Sequence, residues 1–480
     1  MKTLLQAAAA LASGATTSQA LTAHCLTRAR ADETSAFLTL DEAGALAAAR
    51  ASDERRARGG ALGPLDGVPL SLKDNILTEG VVTTAGSRML EGFVPPYDAT
   101  VTARLKAAGA VLLGKTNLDE FGMGSSTEGS AFQKTRNPLD PSRTPGGTSG
   151  GTAASVAARL CFGSLGTDTG GSVRQPAAFT GLVGLKPTWG RVSRAGVVAY
   201  ASSLDQVGPL AHTVEDAAAL LSAIEGYDAA DATSAQHPRT DLSSLKAGVE
   251  GLRVGLPKEY LVEGMDGEVA AGVRAAAETL KARGAVVREV SLPHTRFALA
   301  AYYVIAPCEA SSNLGRYDGV RYGHRAQGAR TLSALYEQSR AEGFGPEVKR
   351  RIMLGTFALS AGYADAYYRK AQQVRGLIRR DFDEAFAQVD VLLSATSPVL
   401  PWRLGEKLSD PLAMYLMDVL TLSCNLAGLP GLSLPCGRAV GGLPVGAQLL
   451  GRPFDEATVL RAAYALEQAL GLDFAPVGGA

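Results

Sequence analysis

The 480-residue chain is long enough for a large core, and its 46% hydrophobic and 20% charged content suit an ordinary globular protein. Its 47 basic residues balance 47 acidic ones, so no net field favours tight nucleic-acid binding by this chain alone. The cysteines Cys25, Cys161, Cys308, Cys424 and Cys436 show no Cys-x-x-Cys spacing, which argues against a zinc site or a disulfide framework and for a reducing, cytoplasmic setting.

At the N-terminus, Lys2-Thr3 and the apolar run behind it resemble a signal peptide, with Ser18-Gln19-Ala20 as a cleavage site. The rival reading, which we prefer, is an amphipathic helix, a cap at Thr16-Thr17-Ser18 and a second helix from Gln19 to Ala31. Short apolar runs at Val68–Leu72, Ala110–Leu113, Leu252–Leu256, Ala285–Leu292, Val389–Leu393, Leu432–Pro435 and Val445–Leu450 predict buried strands. Helical periodicity marks Thr100–Ala108, Thr213–Ile224, Val269–Arg283, Val374–Phe386 and Glu456–Leu470. Alternation of the two argues for an α/β architecture. The polar stretch Tyr227–Gly251 reads as a linker between two halves, and no internal repeat is evident. No run of about 18 apolar residues occurs, so no membrane-spanning helix is expected.

Chemistry concentrates between Thr144 and Ser172. There Gly146-Gly147-Thr148-Ser149-Gly150-Gly151 is followed by Asp168-Thr169-Gly170-Gly171-Ser172. Glycines on both sides let backbone N–H groups approach a ligand closely. A serine in that setting has an exposed hydroxyl and neighbouring amides that could hold an oxyanion, which is what an acyl-transfer nucleophile needs. No histidine lies nearby to serve as its base. Lys73 ends an apolar run, where burial would lower its pKa enough for it to accept a proton. A phosphate-binding loop is excluded because no lysine occurs between Lys134 and Lys186, and the glycines lack dinucleotide-fold spacing.

These residues resemble the amidase-signature family, which uses a Ser–Ser–Lys triad. The resemblance runs from about Ala36 to Gly471 and implies an amidase-signature fold: a mixed central sheet covered by helices on both faces. It implies one domain over residues 1–480, with a helical segment over about 1–35 and the polar stretch 227–251 inside it. Lys73 matches the family's lysine and Ser172 its acylated serine. The middle hydroxyl departs from the pattern, since Thr148 stands where serine is usual, and either Thr148 or Ser149 carries the relay. Spacing to Lys73 and Ser172 is the family's usual one for Thr148. The resemblance further implies a cis peptide between Gly147 and Thr148, and an oxyanion hole built by the N–H groups of Thr169, Gly170, Gly171 and Ser172.

Three other segments narrow the resemblance to the glutaminase subunits of tRNA-dependent amidotransferases. They are Cys308–Leu314 with Asp318–Gly323 behind it, Glu347–Ile352 with Gly355–Ser360, and Met414–Asp418 with Asn425–Gly431. This branch hydrolyses glutamine and passes ammonia to a partner, so the resemblance implies Arg351 for the substrate carboxylate and Asp418 for its ammonium. A guanidinium suits the first role because it binds both carboxylate oxygens. Two partner subunits in a heterotrimer, misacylated tRNA held mainly by a partner, and ATP with magnesium on that partner are implied too, with no cofactor or metal in this chain. A stand-alone amidase acting on a small or fatty amide would keep the triad without needing Arg351 and Asp418.

Overall fold

The computed structural model describes residues 1–407 and 410–476. Eleven strands of the described residues form one sheet. They are β1 (Phe37–Leu40), β2 (Pro69–Lys73), β3 (Val111–Thr116), β4 (Ser164–Asp168), β5 (Val183–Lys186), β6 (Gln206–Ala211), β7 (Arg253–Pro257), β8 (Val286–Val290), β9 (Val391–Ala395), β10 (Gly431–Arg438) and β11 (Pro444–Gly451). Their spatial order is β1-β3-β2-β4-β6-β5-β10-β11-β9-β7-β8. The sheet is mixed: β2 runs parallel to β3 and β4, and β7 to β8 and β9, while the strands between pair antiparallel.

All seven strands read from apolar runs are present, with ends shifted by a few residues. Four more were not anticipated, and three of them, β4, β5 and β6, lie in the middle of the sheet. Ser-Leu-Gly-Thr-Asp in β4 and Gln-Val-Gly-Pro-Leu-Ala in β6 carry too few β-branched residues to announce a strand. Their burial comes from neighbours on both faces and not from their own composition.

The N-terminal segment forms the two anticipated helices, Leu4–Ala12 and Ser18–Arg30. Thr17 caps the second, its hydroxyl accepting the Ala20 N–H. Leu4, Ala7, Ala8 and Leu11 turn one face of the first helix into the core. Residues 227–251 hold no regular helix or strand, but polar contacts pin their start. Asp228 accepts from the Thr100 and Ser193 hydroxyls, and Asp231 accepts the Arg194 N–H. No described helix is long and apolar enough to cross a membrane.

One consequence of topology matters for the chemistry. Strands β2 and β4 are parallel neighbours, with Leu72 opposite Leu165, so both point the same way out of the sheet. Lys73 at the end of β2 and the Asp168–Ser172 turn after β4 therefore emerge side by side. Ends of adjacent parallel strands are the usual place for a ligand in such sheets.

Candidate active site

Lys73 is fully buried, with its Nζ 2.6 Å from Thr148 Oγ1, 2.8 Å from Ser149 Oγ and 2.9 Å from Thr167 Oγ1. Burial drives its pKa down to about 7, while the more remote carboxylates Asp119, Asp168 and Asp205 pull the other way. An amine in that state has a lone pair to offer and two protons to donate. The hydroxyls around it are not equivalent. Ser149 donates its proton to the Thr167 carbonyl at 3.2 Å, so it meets Lys73 as an acceptor. Thr167 Oγ1 already accepts from Asn75 Nδ2 at 3.0 Å. The Thr148 hydroxyl has no acceptor among the described residues other than the lysine, and is therefore free to donate to it.

The loop carrying Thr148 does not take the expected cis form. No described peptide bond is cis, and the Gly147–Thr148 bond is trans. The chain turns instead on Gly146 and Gly147, whose φ angles of +84° and +44° lie in the left-handed region. Two glycines with positive φ supply the change of direction through backbone torsions.

Ser172 is half-buried between β4 and the helix Arg174–Thr180. Its loop packs on the other one: a Cβ added to Gly147 would lie 3.2 Å from Ser172 Cα. The Ser172 hydroxyl makes no hydrogen bond to a described residue, so the Thr148-to-Ser172 link is open. Catalytic hydrogen bonds commonly close only when substrate is bound. The turn before Ser172 is held from below by Asp168, which accepts the Gly171 N–H at 2.8 Å, Arg174 Nε at 3.0 Å and Asn425 Nδ2 at 2.8 Å. Against the cost of burial, the Arg174 guanidinium brings Asp168 down to about 2. Because Asp168 takes the Gly171 N–H, that group drops out of the expected oxyanion set. The N–H groups of Thr169, Gly170 and Ser172 have no acceptor among the described residues and remain available. Neither glycine tolerates a side chain, since a Cβ on Gly170 would meet the Tyr302 hydroxyl at 2.8 Å and one on Gly171 the Thr421 hydroxyl at 2.3 Å.

A cleft of about 260 Å³ is lined by Asp119, Met123, Ser125, Glu347, Arg351 and Tyr415 among others, and a Cβ on Gly122, the neighbour of Met123, would lie 4.0 Å from Thr148 Oγ1. Arg351 sits on the helix Pro346–Leu359 and is only 3% exposed, so the basic run Lys349-Arg350-Arg351 is not a uniformly solvated face. Its Nε bonds Glu347 at 2.8 Å and its Nη1 donates to the Tyr200 hydroxyl at 2.6 Å. The rings of Tyr200, Tyr303 and Tyr415 surround the guanidinium at 5.3 to 5.6 Å. Its Nη2 makes no hydrogen bond to a described residue, leaving one donor edge for a ligand. Asp418, in the turn Leu416–Asp418, is buried and accepts from Ser125 Oγ at 2.6 Å and Gln175 Nε2 at 2.9 Å. Burial pushes its carboxyl up to about 7. Ser125 lines the cleft, so Asp418 stands directly behind the cleft wall. A guanidinium thus lines the cleft while a buried carboxyl stands behind its wall, joined through Gln175 to the Gly147 N–H.

Sequence reasoning missed Thr167, Asn75, Ser125, Gln175, Glu347 and the tyrosines around Arg351. Several of these had a local signal: Glu347 and Tyr415 lie in the segments already singled out, and Asn75 and Gln175 stand two and three residues past Lys73 and Ser172.

Comparison with known proteins agrees with this geometry. The amidase family model matches residues 20–460. The chain is 64% identical over 469 residues to the A subunit of the glutamyl-tRNA(Gln) amidotransferase of Myxococcus xanthus, covering 97% of this chain and 96% of that one. To its counterpart in Moorella thermoacetica it is 61% identical, covering 90% and 89%. Among solved structures, the corresponding chain of the glutamyl-tRNA(Gln) amidotransferase of Thermotoga maritima superposes with a TM-score of 0.74 at 47% identity, over 85% of this chain and 84% of that one. The peptide amidase of Stenotrophomonas maltophilia gives 0.83 at 33% identity, over 99% and 98%. A lysine-based hydroxyl centre on a mixed α/β sheet and a match over most of its length have one consequence: this chain belongs to the amidase family.

Proposed function

We propose that this chain is the glutamine-hydrolysing subunit of a tRNA-dependent amidotransferase. The observation that carries the reading is the pair Arg351, which lines the cleft, and Asp418, which is bonded to the cleft residue Ser125 and through Gln175 to the loop that carries Thr148. An amide hydrolase for simple amides has no use for a buried cation on a small cleft and a buried carboxyl behind its wall, whereas free glutamine presents a carboxylate and an ammonium. The 64% identity to the Myxococcus xanthus amidotransferase chain supports it.

Chemistry follows from the contacts. The Ser172 oxygen attacks the side-chain carbonyl carbon of glutamine, giving its proton to Thr148 as Thr148 gives its own to neutral Lys73. The N–H groups of Thr169, Gly170 and Ser172 receive the negative charge on the carbonyl oxygen; losing one such donor typically costs about 3–4 kcal/mol. The carbon–nitrogen bond then breaks, the proton returns through Thr148 to the leaving nitrogen, and ammonia departs. Water cleaves the resulting ester to glutamate and free Ser172. Ammonia passes to a partner, so the reading includes two further subunits in a heterotrimer. ATP, magnesium and misacylated Glu-tRNA(Gln) or Asp-tRNA(Asn) belong to the partner. All eleven described strands share one sheet, which supports a single amidase domain. All five cysteines are free, which fits a cytoplasmic setting.

The test is Ser172→Ala in the co-expressed complex. Glutamine-dependent amidation of tRNA should be lost while amidation from added ammonium survives. Loss of both would make Ser172 structural and refute the assignment.

A further inference from the structure

Gln175 makes contacts that the chemistry above leaves unused. It lies at the start of the helix Arg174–Thr180 and is fully buried. Its side-chain oxygen accepts the Gly147 N–H at 2.6 Å, and its nitrogen donates to Asp418 Oδ1 at 2.9 Å and to the Met417 carbonyl at 3.4 Å. These partners fix which amide atom points where, because a backbone N–H can only donate and a carbonyl can only accept. Gly147 is itself closely held. Its φ is +44°, a Cβ there would lie 2.5 Å from Pro176 Cδ, and its carbonyl accepts the Thr127 hydroxyl at 2.8 Å. The next residue is Thr148. Two hydrogen bonds through one side chain therefore join Asp418 to the Gly146–Gly147 peptide, one residue before Thr148.

We propose that Gln175 is a positioning residue that ties the Asp418 subsite to the Gly147–Thr148 loop, so that a substrate ammonium on Asp418 improves the placement of the relay as well as binding. The inference rests on the glutaminase reading. With an ammonium at hand, Asp418 is held ionised, and Gln175 Nε2 donates to a full negative charge, a stronger contact than one to a neutral carboxyl. Polarisation of the amide makes its oxygen a better acceptor for the Gly147 N–H. Burial alone favours the protonated carboxyl at Asp418. A substrate without the ammonium leaves it in that state and the link slack.

The experiment compares glutamine with glutaramate, the same amide without its α-amino group, in the assembled enzyme. Wild type should show a kcat for glutamine at least about tenfold above that for glutaramate, since remote binding energy is realised in the acylation step. Gln175→Met should bring the two kcat values within about threefold, while KM for glutaramate stays the higher because Asp418 still meets the ammonium. Gln175→Glu keeps an acceptor for the Gly147 N–H and serves if the methionine variant does not fold. It should show the same loss of kcat discrimination. A folded variant with an unchanged kcat ratio and an altered KM alone overturns the proposal. A wild type that hydrolyses simple amides and not glutamine overturns the glutaminase reading, and this proposal with it.

Discussion

Replacing Asp418 by asparagine should stabilise the folded chain at neutral and higher pH while damaging the proposed substrate site. Burial pushes this carboxyl from 3.8 up to about 7. In the unfolded chain it gives up its proton near 3.8, whereas in the folded chain it keeps it until about 7. Its contribution to stability is thus fully present below 3.8 and is lost as the pH rises through about 7. At about 1.36 kcal/mol per pH unit, the gap amounts to about 4 kcal/mol at about pH 8, an upper limit because the protein relaxes around a buried charge. An asparagine keeps both contacts: its oxygen accepts from Gln175, and its amide can donate to the Ser125 hydroxyl oxygen. With about 2.1 cal/mol/K of unfolding entropy per residue, the 480-residue chain has about 1 kcal/mol/K, so Tm should rise by roughly 2–4 °C at about pH 8. At about pH 5 the gain should be less than half as large. Calorimetry of Asp418→Asn at the two pH values checks this, with KM for glutamine measured on the same samples and expected to rise. An equal change in Tm at both pH values, or a loss at both, would refute the claim that burial penalises this carboxylate.

Thr148→Val keeps the shape and deletes the hydroxyl, so kcat for amide hydrolysis should fall by about 10² or more, while Thr148→Ser should retain or raise it. An active Thr148→Val beside a dead Ser149→Ala would move the relay to Ser149. Since burial holds Lys73 near 7, kcat should climb as the pH rises through that value and the amine loses its proton. Lys73→Arg, which stays charged, should be inactive throughout, and a flat wild-type profile across neutral pH would remove Lys73 as the base. Arg351→Ala should raise KM for glutamine far more than for a simple aliphatic amide, by the about 2–5 kcal/mol usual for an unpaired buried charge. Changes under about threefold would sink the glutamine assignment.

Lys73 and Ser172 were legible because glycine-rich turns and a lysine ending an apolar run leave a local trace, and so was the strand Pro69–Lys73 that carries the lysine. Strands Ser164–Asp168 and Gln206–Ala211 were not, because their place in the sheet centre is decided by partners far away in sequence. The same holds for Ser125 and Gln175 on Asp418, which lie 293 and 243 residues from it. The resemblance suggested a cis bond at Thr148, but two positive-φ glycines make the turn. The fate of the Gly171 N–H could not be read from Asp-Thr-Gly-Gly-Ser either. It depends on how the Asp168 carboxylate folds back under its own loop.

That carboxylate also accounts for a Lys73 pKa low enough for the proposed role of base despite acidic residues close by. A buried lysine facing a free aspartate would keep its proton, as opposite charges within a few ångströms favour the charged forms. Asp168 is not free. Arg174 binds it through Nε at 3.0 Å and Nη2 at 3.1 Å, and Asn425 and the Gly171 N–H take its remaining capacity. Asp205 is likewise saturated by the Thr169 hydroxyl and the N–H groups of Tyr200 and Ala201, and Asp119 by those of Ser126, Thr127 and Gly129. Among the described residues, only hydroxyls and a carbonyl reach the lysine nitrogen. Desolvation then prevails over distant charge, and above about pH 7 the amine is neutral beside Thr148, whose hydroxyl proton has no other acceptor among the described residues.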